Sequence, residues 1–465
     1  MNKKFFFVFL FAFLIRLIAL NQSLWLDEAV TANVVKNLDF FQIVTKFSPS
    51  DFHPPLYYLF MKLWTNFFGY SEIALRIPSV LFSLMTGYLV YKIASLFHGS
   101  IAGVFAMAFF LFNPLIVYYS QEARMYMMAT FFLTIALYFF WKFVIAIRQP
   151  AEKQSLPAGR QVKKEIATAA FGGLAMTMSF LTFYGSIFLI AAMFVYLLYK
   201  KQYKYFIVSL LIFIVSLLLI SPLLYKQLVN SKIALANITN WSLVLGKANI
   251  KNLLLIPIKF SIGRISFWPK WLYWGIAGIW TGFVFFVIKT VFKKDSLLWL
   301  YLFIFPLILG FVVSFFTPML QYFRFIYLIP IMTILLSFSL STGHKYHRFG
   351  VIVAGGFIIF SLVYLINPAF HREDWKGLVK SLPKDRPVYM ITSSSDPVKY
   401  YNRALKINEL RELIHLRLEK QITVIPYTAD IYGFNYKKIL QENNYYLISK
   451  KTFRGLELEF FVFDN

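Results

Sequence analysis

No cysteine occurs among the 465 residues. That excludes a disulfide framework and any thiolate-bound metal, and leaves the compartment open. Charge is scarce as well. Asp, Glu, Lys and Arg make up 15% of the chain, against about 25% in an ordinary soluble domain. Acids are the rarer sign, 21 Asp and Glu against 47 Lys and Arg, and histidine occurs only 6 times. In their place stand apolar residues: 59% hydrophobic, 20% aromatic, with a mean hydropathy of +0.63. This composition excludes a soluble globular protein and fits a polytopic α-helical membrane protein. The net charge of +26 would suggest nucleic acid in a soluble chain. Here the cations fall mostly in short connections between apolar runs, where they set topology and meet anionic lipid, so no nucleic-acid partner is expected.

The first apolar run, Phe5 to Leu20, follows Lys3 and Lys4, which predicts an inside N-terminus and an uncleaved first helix at about 5–21. Further helices are predicted at about 73–96, 101–119, 125–147, 205–222, 271–289, 296–316, 323–341 and 349–367. The run 167–199 is too long for one helix and divides at Phe183–Ser186. These make about eleven transmembrane helices. Glu152, Lys153, Lys293, Lys294 and Asp295 then face the cytoplasm. Two long loops face outward: 22–72, aromatic enough to lie along the interface as amphipathic helices, and 223–270, which carries Lys226, Lys232, Lys247, Lys251, Lys259, Arg264 and Lys270 but no acid. After Asn367-Pro368 the chain turns polar. Residues 1–367 therefore read as a transmembrane domain and 368–465 as a small extracytoplasmic α/β domain, with strands at 387–392, 422–425, 445–448 and 458–462. The lack of an internal repeat weighs against a repeat-built transporter.

Leu24-Trp25-Leu26-Asp27-Glu28-Ala29 places two carboxylates just beyond the first helix. A carboxylate at a dry interface can serve as a general base. The same spacing also suits a helix N-cap at Asp27 with Glu28 in the first turn. Before the tail, the outer acids are only Asp27, Glu28, Asp39, Asp51, Glu72 and Glu122, and His53 is the sole histidine of the first outer loop. His53-Pro54-Pro55 forms a rigid turn that could present an imidazole to phosphate or metal, or simply start a helix. Ser120-Gln121-Glu122-Ala123-Arg124 puts an acid and a guanidinium on one short outer turn. Arg124 there either clamps a phosphate or pairs with Glu122. Lys259 and Arg264 flank an aromatic stretch in the acid-free loop, where they could seat a phosphate leaving group or meet lipid headgroups.

Leu26-Asp27-Glu28-Ala29, His53-Pro54-Pro55-Leu56-Tyr57-Tyr58, Arg76-Ile77-Pro78-Ser79 and Ser120-Gln121-Glu122-Ala123-Arg124-Met125-Tyr126, in that order, resemble one family. It is the bacterial protein O-mannosyltransferase-like and aminoarabinose transferase-like membrane glycosyltransferases, of the GT-C fold class. Gln321-Tyr322-Phe323-Arg324 and Arg372-Glu373-Asp374-Trp375-Lys376 add to the likeness. The resemblance implies transfer of a sugar from a polyprenyl-phosphate donor to an acceptor hydroxyl on a lipid, glycan or protein. It implies inversion at the anomeric carbon at the outer face of a bacterial inner membrane. By that likeness Asp27 is the base and Glu28 orients the site. His53, Arg124, Lys259 and Arg264 bind the donor phosphate, and Tyr57, Glu122 and Tyr126 line the substrate pocket. A divalent metal is a candidate cofactor, with Glu28 and His53 as candidate ligands. Phe52 stands where a relative has an acidic metal ligand, which counts against a metal site of that type. The rival class is a flippase for lipid-linked saccharides. A further alternative makes the membrane part an anchor for a binding module, though the predicted spans far exceed an anchor's need.

Overall fold

The computed structural model describes residues 3–148, 158–290, 296–340, 344–415 and 419–464. Glu152, Lys153, Lys293, Lys294 and Asp295 lie outside them. The chain is a helical bundle followed by a mixed α/β tail. Five helices are long and apolar enough to cross a membrane: Glu72–Leu111, Tyr126–Ile145, Tyr203–Asn237, Lys270–Thr290 and His347–Ile366. Shorter apolar helices, such as Leu297–Val313 and the split pair's second member Ile187–Tyr199, stand among them. A polytopic membrane protein is thus what the fold shows, without establishing eleven spans.

The Glu72–Leu111 helix is two helices. The backbone leaves helical geometry at His98 and Gly99, and Gly99 has φ +77°. The turn expected at Phe97–Ser100 is therefore a hairpin. Its arms pack closely because Gly103 lies against Ser95 and Tyr91, and Gly87 against Leu111. At Asn113 the chain stops again. The Asn113 carboxamide oxygen accepts from the N–H groups of Leu115 and Ile116, and Pro114 opens the short Pro114–Ser120 helix.

The structure departs from the sequence reading in three places. The helix expected to end at Pro222 runs from Tyr203 to Asn237. A proline removes one donor and kinks a helix, but the rest of the ladder can carry on past it. The outer stretch 223–270 is consequently mostly helix, completed by Ile250–Ile262. The segment 323–341 starts as a 3₁₀ turn, Tyr322–Leu328, and only then becomes the α-helix Ile329–Ser337. In the first outer loop, short helices form as expected: Leu26–Asn37 and Leu56–Phe68.

The tail holds a five-stranded sheet in the order β2-β1-β3-β5-β4, with β1 Val388–Met390, β2 Ile407–Glu409, β3 Gln421–Val424, β4 Tyr445–Phe453 and β5 Leu456–Phe463. β1 pairs in parallel with β2 and β3, and β5 is antiparallel to β3 and β4. β2 has no counterpart in the sequence reading, because three residues show no alternation. The tail docks on the bundle through polar contacts. The Lys376 ammonium lies 2.8 Å from Glu72, Asn33 donates to Asp396 at 2.8 Å, and the Tyr400 hydroxyl donates to the Tyr70 carbonyl at 2.7 Å.

A side chain at position 103 would meet Ser95 Oγ at 2.1 Å and the Tyr91 carbonyl at 2.7 Å. Gly103→Leu is expected to force the hairpin arms apart at a cost of about 1–3 kcal/mol. Thermal unfolding in detergent checks this, and an unchanged melting temperature would contradict the packing.

Candidate active site

The site starts from a buried ion pair. Glu28 lies in the first turn of the Leu26–Asn37 helix, with Trp25 rather than Asp27 at the cap position. Arg76, one turn into the next long helix, binds it bidentately: Nε to Oε1 at 2.8 Å and Nη2 to Oε2 at 2.6 Å. Neither side chain is exposed. The Ala123 N–H donates to Glu28 Oε1 at 2.8 Å, and Arg76 also donates to the carbonyls of Leu20, Gln22 and Ser23. Burial raises a carboxyl, but Arg76, with Arg372 and the Ala123 N–H behind it, holds Glu28 below its usual range. Glu28 is thus a joint between four stretches of chain.

Asp27 faces the other way. Its side chain is 35% exposed, and Arg124 Nη2 stands 3.4 Å from its Oδ2. Arg124 also donates to the Tyr58 hydroxyl at 3.3 Å. The Tyr58 hydroxyl lies against Asp51, whose Oδ1 is 3.1 Å from His53 Nδ1. A polar line therefore runs Asp27–Arg124–Tyr58–Asp51–His53. Burial would raise Asp51, yet His53 and Arg124 hold it below the ordinary carboxylate range. The turn carrying His53 is tied down by Gln227, which donates to the carbonyls of Ser48 and His53 at 2.8 and 2.9 Å.

Glu122 and Arg124 do not pair with each other. Glu122 meets Arg372, which arrives from the start of the tail. Burial pushes the Glu122 carboxyl up to about 7, with Arg372, then Arg264 and Arg124, pulling it down. The Arg372 guanidinium is sandwiched between the rings of Trp25 and Tyr118, 4.5 and 4.3 Å from their centroids. On the Tyr118 ring also sits Arg264, at 4.7 Å, hydrogen-bonded to the Tyr118 hydroxyl. Arg264 gets there because Gly263, at φ +73°, closes its helix flush against Pro114. Arg264 is exposed, and Tyr118, Tyr322, Tyr119 and Glu122 lie near enough to act on its charge. Arg324 is a half-buried cation near Tyr126, and no described acid contacts it.

Tyr57 is buried within reach of the Arg124, Glu28 and Glu122 charges, and Tyr126 packs on Tyr119, Phe323 and Phe183. Lys259 stands apart from this line. Its ammonium donates to the Tyr273 hydroxyl at 2.9 Å, and burial, then Arg264 and Lys270, push it down to about 8. No three His, Asp or Glu side chains gather as a metal-ligand set among the described residues. Glu28 is held by Arg76 and a backbone N–H, and the His53 imidazole lies against Asp51. Sequence reasoning did not assign Arg372 or Arg324 to the site. Both stand in motifs it quoted, and two cations in a chain with so few charges were the available signal.

Residues 52–225 match the family model of dolichyl-phosphate-mannose-protein mannosyltransferases. ArnT of Cupriavidus metallidurans superposes in its apo state with a TM-score of 0.60 at 13% identity, covering 98% of this chain and 97% of that one. The same protein bound to undecaprenyl phosphate gives 0.56, with the same identity and coverage. The archaeal oligosaccharyltransferase AglB of Archaeoglobus fulgidus, in complex with an inhibitory peptide and a dolichol-phosphate, gives 0.53 at 12% identity, covering 95% of this chain and 72% of that one. No curated protein sequence matches the chain. The chain shares the fold of these solved structures, the GT-C fold.

Removing one member of a buried pair strands the other charge and costs about 3–5 kcal/mol. Arg76→Ala and Glu28→Ala are each expected to lose that much, and the double variant less than the sum. Thermal melts in detergent decide, and wild-type stability in either single variant would remove the pair from its structural role. Asp51 gives a pH signature. Its lowered carboxyl stabilises the fold above its unfolded value of about 4, and that contribution fades as pH falls through the lower folded value. Asp51→Asn should flatten the acid limb of the melting profile, and an unaltered limb would contradict the pairing.

Proposed function

We propose that the chain is an inverting glycosyltransferase, moving a sugar from a polyprenyl-phosphate donor to an acceptor hydroxyl at the outer face of a bacterial inner membrane. The observation that carries this is a part-exposed carboxylate, Asp27, held 3.4 Å from Arg124, while Arg264 and Arg324 make no ion pair among the described residues. Its support is the fold shared with ArnT, which was crystallised with undecaprenyl phosphate.

In this reading the acceptor O–H gives its proton to Asp27 as its oxygen attacks the anomeric carbon. The bond to the phosphate oxygen breaks on the opposite side. The leaving polyprenyl phosphate takes up the electron pair, and fixed cations stabilise its charge. Arg264 and Arg324 hold the phosphate. Arg124, already engaged by Asp27 and Tyr58, positions the base. Glu28 acts through Arg76 as a positioning residue. Arg372 and Glu122 close the side toward the tail. Tyr57 and Tyr126 wall the sugar pocket, and His53 braces Asp51.

Asp27→Asn is expected to lower kcat by about 10²–10⁴-fold, the usual worth of a general base, with donor affinity kept. Arg264→Ala is expected to raise the donor Kd by about tenfold or more, as for a lost charge-assisted contact. Both are read with a radiolabelled polyprenyl-phosphate sugar in detergent or liposomes. Wild-type turnover in Asp27→Asn would dismiss the base. Movement of intact lipid between leaflets without loss of sugar would replace transfer by flipping.

A further inference from the structure

The tail contributes a cleft whose lining shares no residue with the candidate active site. It has a volume of about 850 Å³, within the size range of small-ligand sites. Three stretches build it: the 426–437 segment, the β4–β5 turn, and the bundle's connection at Asn240. They are fastened together. The Asn240 N–H donates to the Ile431 carbonyl at 3.0 Å and its side chain to the Asp430 carbonyl at 2.7 Å. Gly433 lies directly against Thr239. On the other wall, the Asp374 N–H donates to the Arg454 carbonyl at 2.9 Å, which ties the β4–β5 turn to the segment that carries Arg372.

The lining has two chemistries. Tyr427, Phe434 and Phe453 supply flat apolar faces, and Asp430, Asn435 and Asn240 supply planar polar groups. Rings that pack on a C–H face, flanked by carboxylate and amide groups that share hydroxyl hydrogen bonds, are what a sugar needs: it is apolar on its ring faces and polar at its rim. A lipid chain has no use for the polar groups. Strand addition by a peptide at the free edge of β4 is discouraged by Lys450 and Lys451 on that strand.

Tyr427 joins this cleft to the start of the tail. Its ring meets Trp375 edge-on at 4.9 Å, its hydroxyl makes no hydrogen bond to another described residue, and burial, then the charges of Glu373 and Asp27, raise it. Tyr427 therefore lines the cleft and packs on Trp375, in the segment that also carries Arg372.

We infer that this cleft, between the tail and the bundle's Asn240 connection, is an acceptor subsite that takes an oligosaccharide. The acceptor would then be a glycan, or a lipid or protein engaged through a glycan it already carries. This rests on the transferase reading. The probes are short neutral and amino-sugar oligosaccharides, with a peptide of equal length and a sugar-free lipid as controls. Two substitutions keep the fold: Tyr427→Phe removes only a hydroxyl, and Asp430→Ala changes an exposed side chain. Saturation-transfer NMR on the full-length protein in detergent should show oligosaccharide binding that both variants weaken about tenfold, the worth of one polar contact. No binding of any oligosaccharide to the wild type, or binding that both variants leave unchanged, overturns the subsite. Donor turnover is measured in parallel. Cleft binding without any donor turnover refutes the reaction and keeps the subsite. Transfer to the peptide or the sugar-free lipid, unmoved by both variants, keeps the reaction and refutes the subsite.

Discussion

The Glu28–Arg76 pair is the constraint on which the rest depends. Two charges with no water in reach are tolerable only when every lone pair and proton is matched. Here the guanidinium answers a carboxylate and three carbonyls, and the carboxylate answers a guanidinium and a backbone N–H. Meeting those demands fixes the end of the first helix, the start of Leu26–Asn37, the Glu72 helix and the 121–124 turn in one arrangement. Adjacent helix positions point about 100° apart. Once Glu28 is committed inward, Asp27 must turn away from it, toward Arg124 and solvent. The open acid is therefore placed by the closed one beside it.

A second layer handles repulsion among the cations. Arg264 and Arg372 both rest on the Tyr118 ring, and Glu122 lies at Arg372. An aromatic face and one shared carboxylate let two guanidiniums coexist while an exposed edge of positive potential remains. The scarcity of acids, 21 Asp and Glu against 47 Lys and Arg, explains why that edge persists. With Glu28 occupied by Arg76 and Asp27 by Arg124, no acid is left to neutralise Arg324 among the described residues.

The helical bundle and the α/β tail were legible, because long apolar runs and alternating strands follow from periodicity. Asp27 and Arg124 were legible as neighbours of helix ends. The partners were not. Arg124 stands beside Glu122 in sequence but pairs with Asp27, and Glu122 pairs with Arg372 from 250 residues away. Pairing of that kind is settled by tertiary packing. Lys259 shows the same limit: its ammonium donates to the Tyr273 hydroxyl and feels the charge of Arg264, partners that its loop position did not indicate. Pro222 misled the span reading, since a proline reads as a stop while the surrounding ladder can bridge it.

Arg372 makes the tail part of the site. Its guanidinium reaches Glu122, Trp25 and Tyr118, while its backbone is held from both sides. Its N–H donates to Gln22 at 3.1 Å, and its carbonyl accepts from Arg454 at 2.6 Å. Gln22 belongs to the stretch whose carbonyls Arg76 gathers, and Arg454 to the β4–β5 turn that walls the tail cleft. A shift of the tail would thus move a cation within the candidate site, and a shift of the Arg76 joint would move the tail. That coupling also suits the location. Charges of both signs are least costly at the end of a bundle, where water reaches them and hydrocarbon does not, and there a polar domain can pack over them.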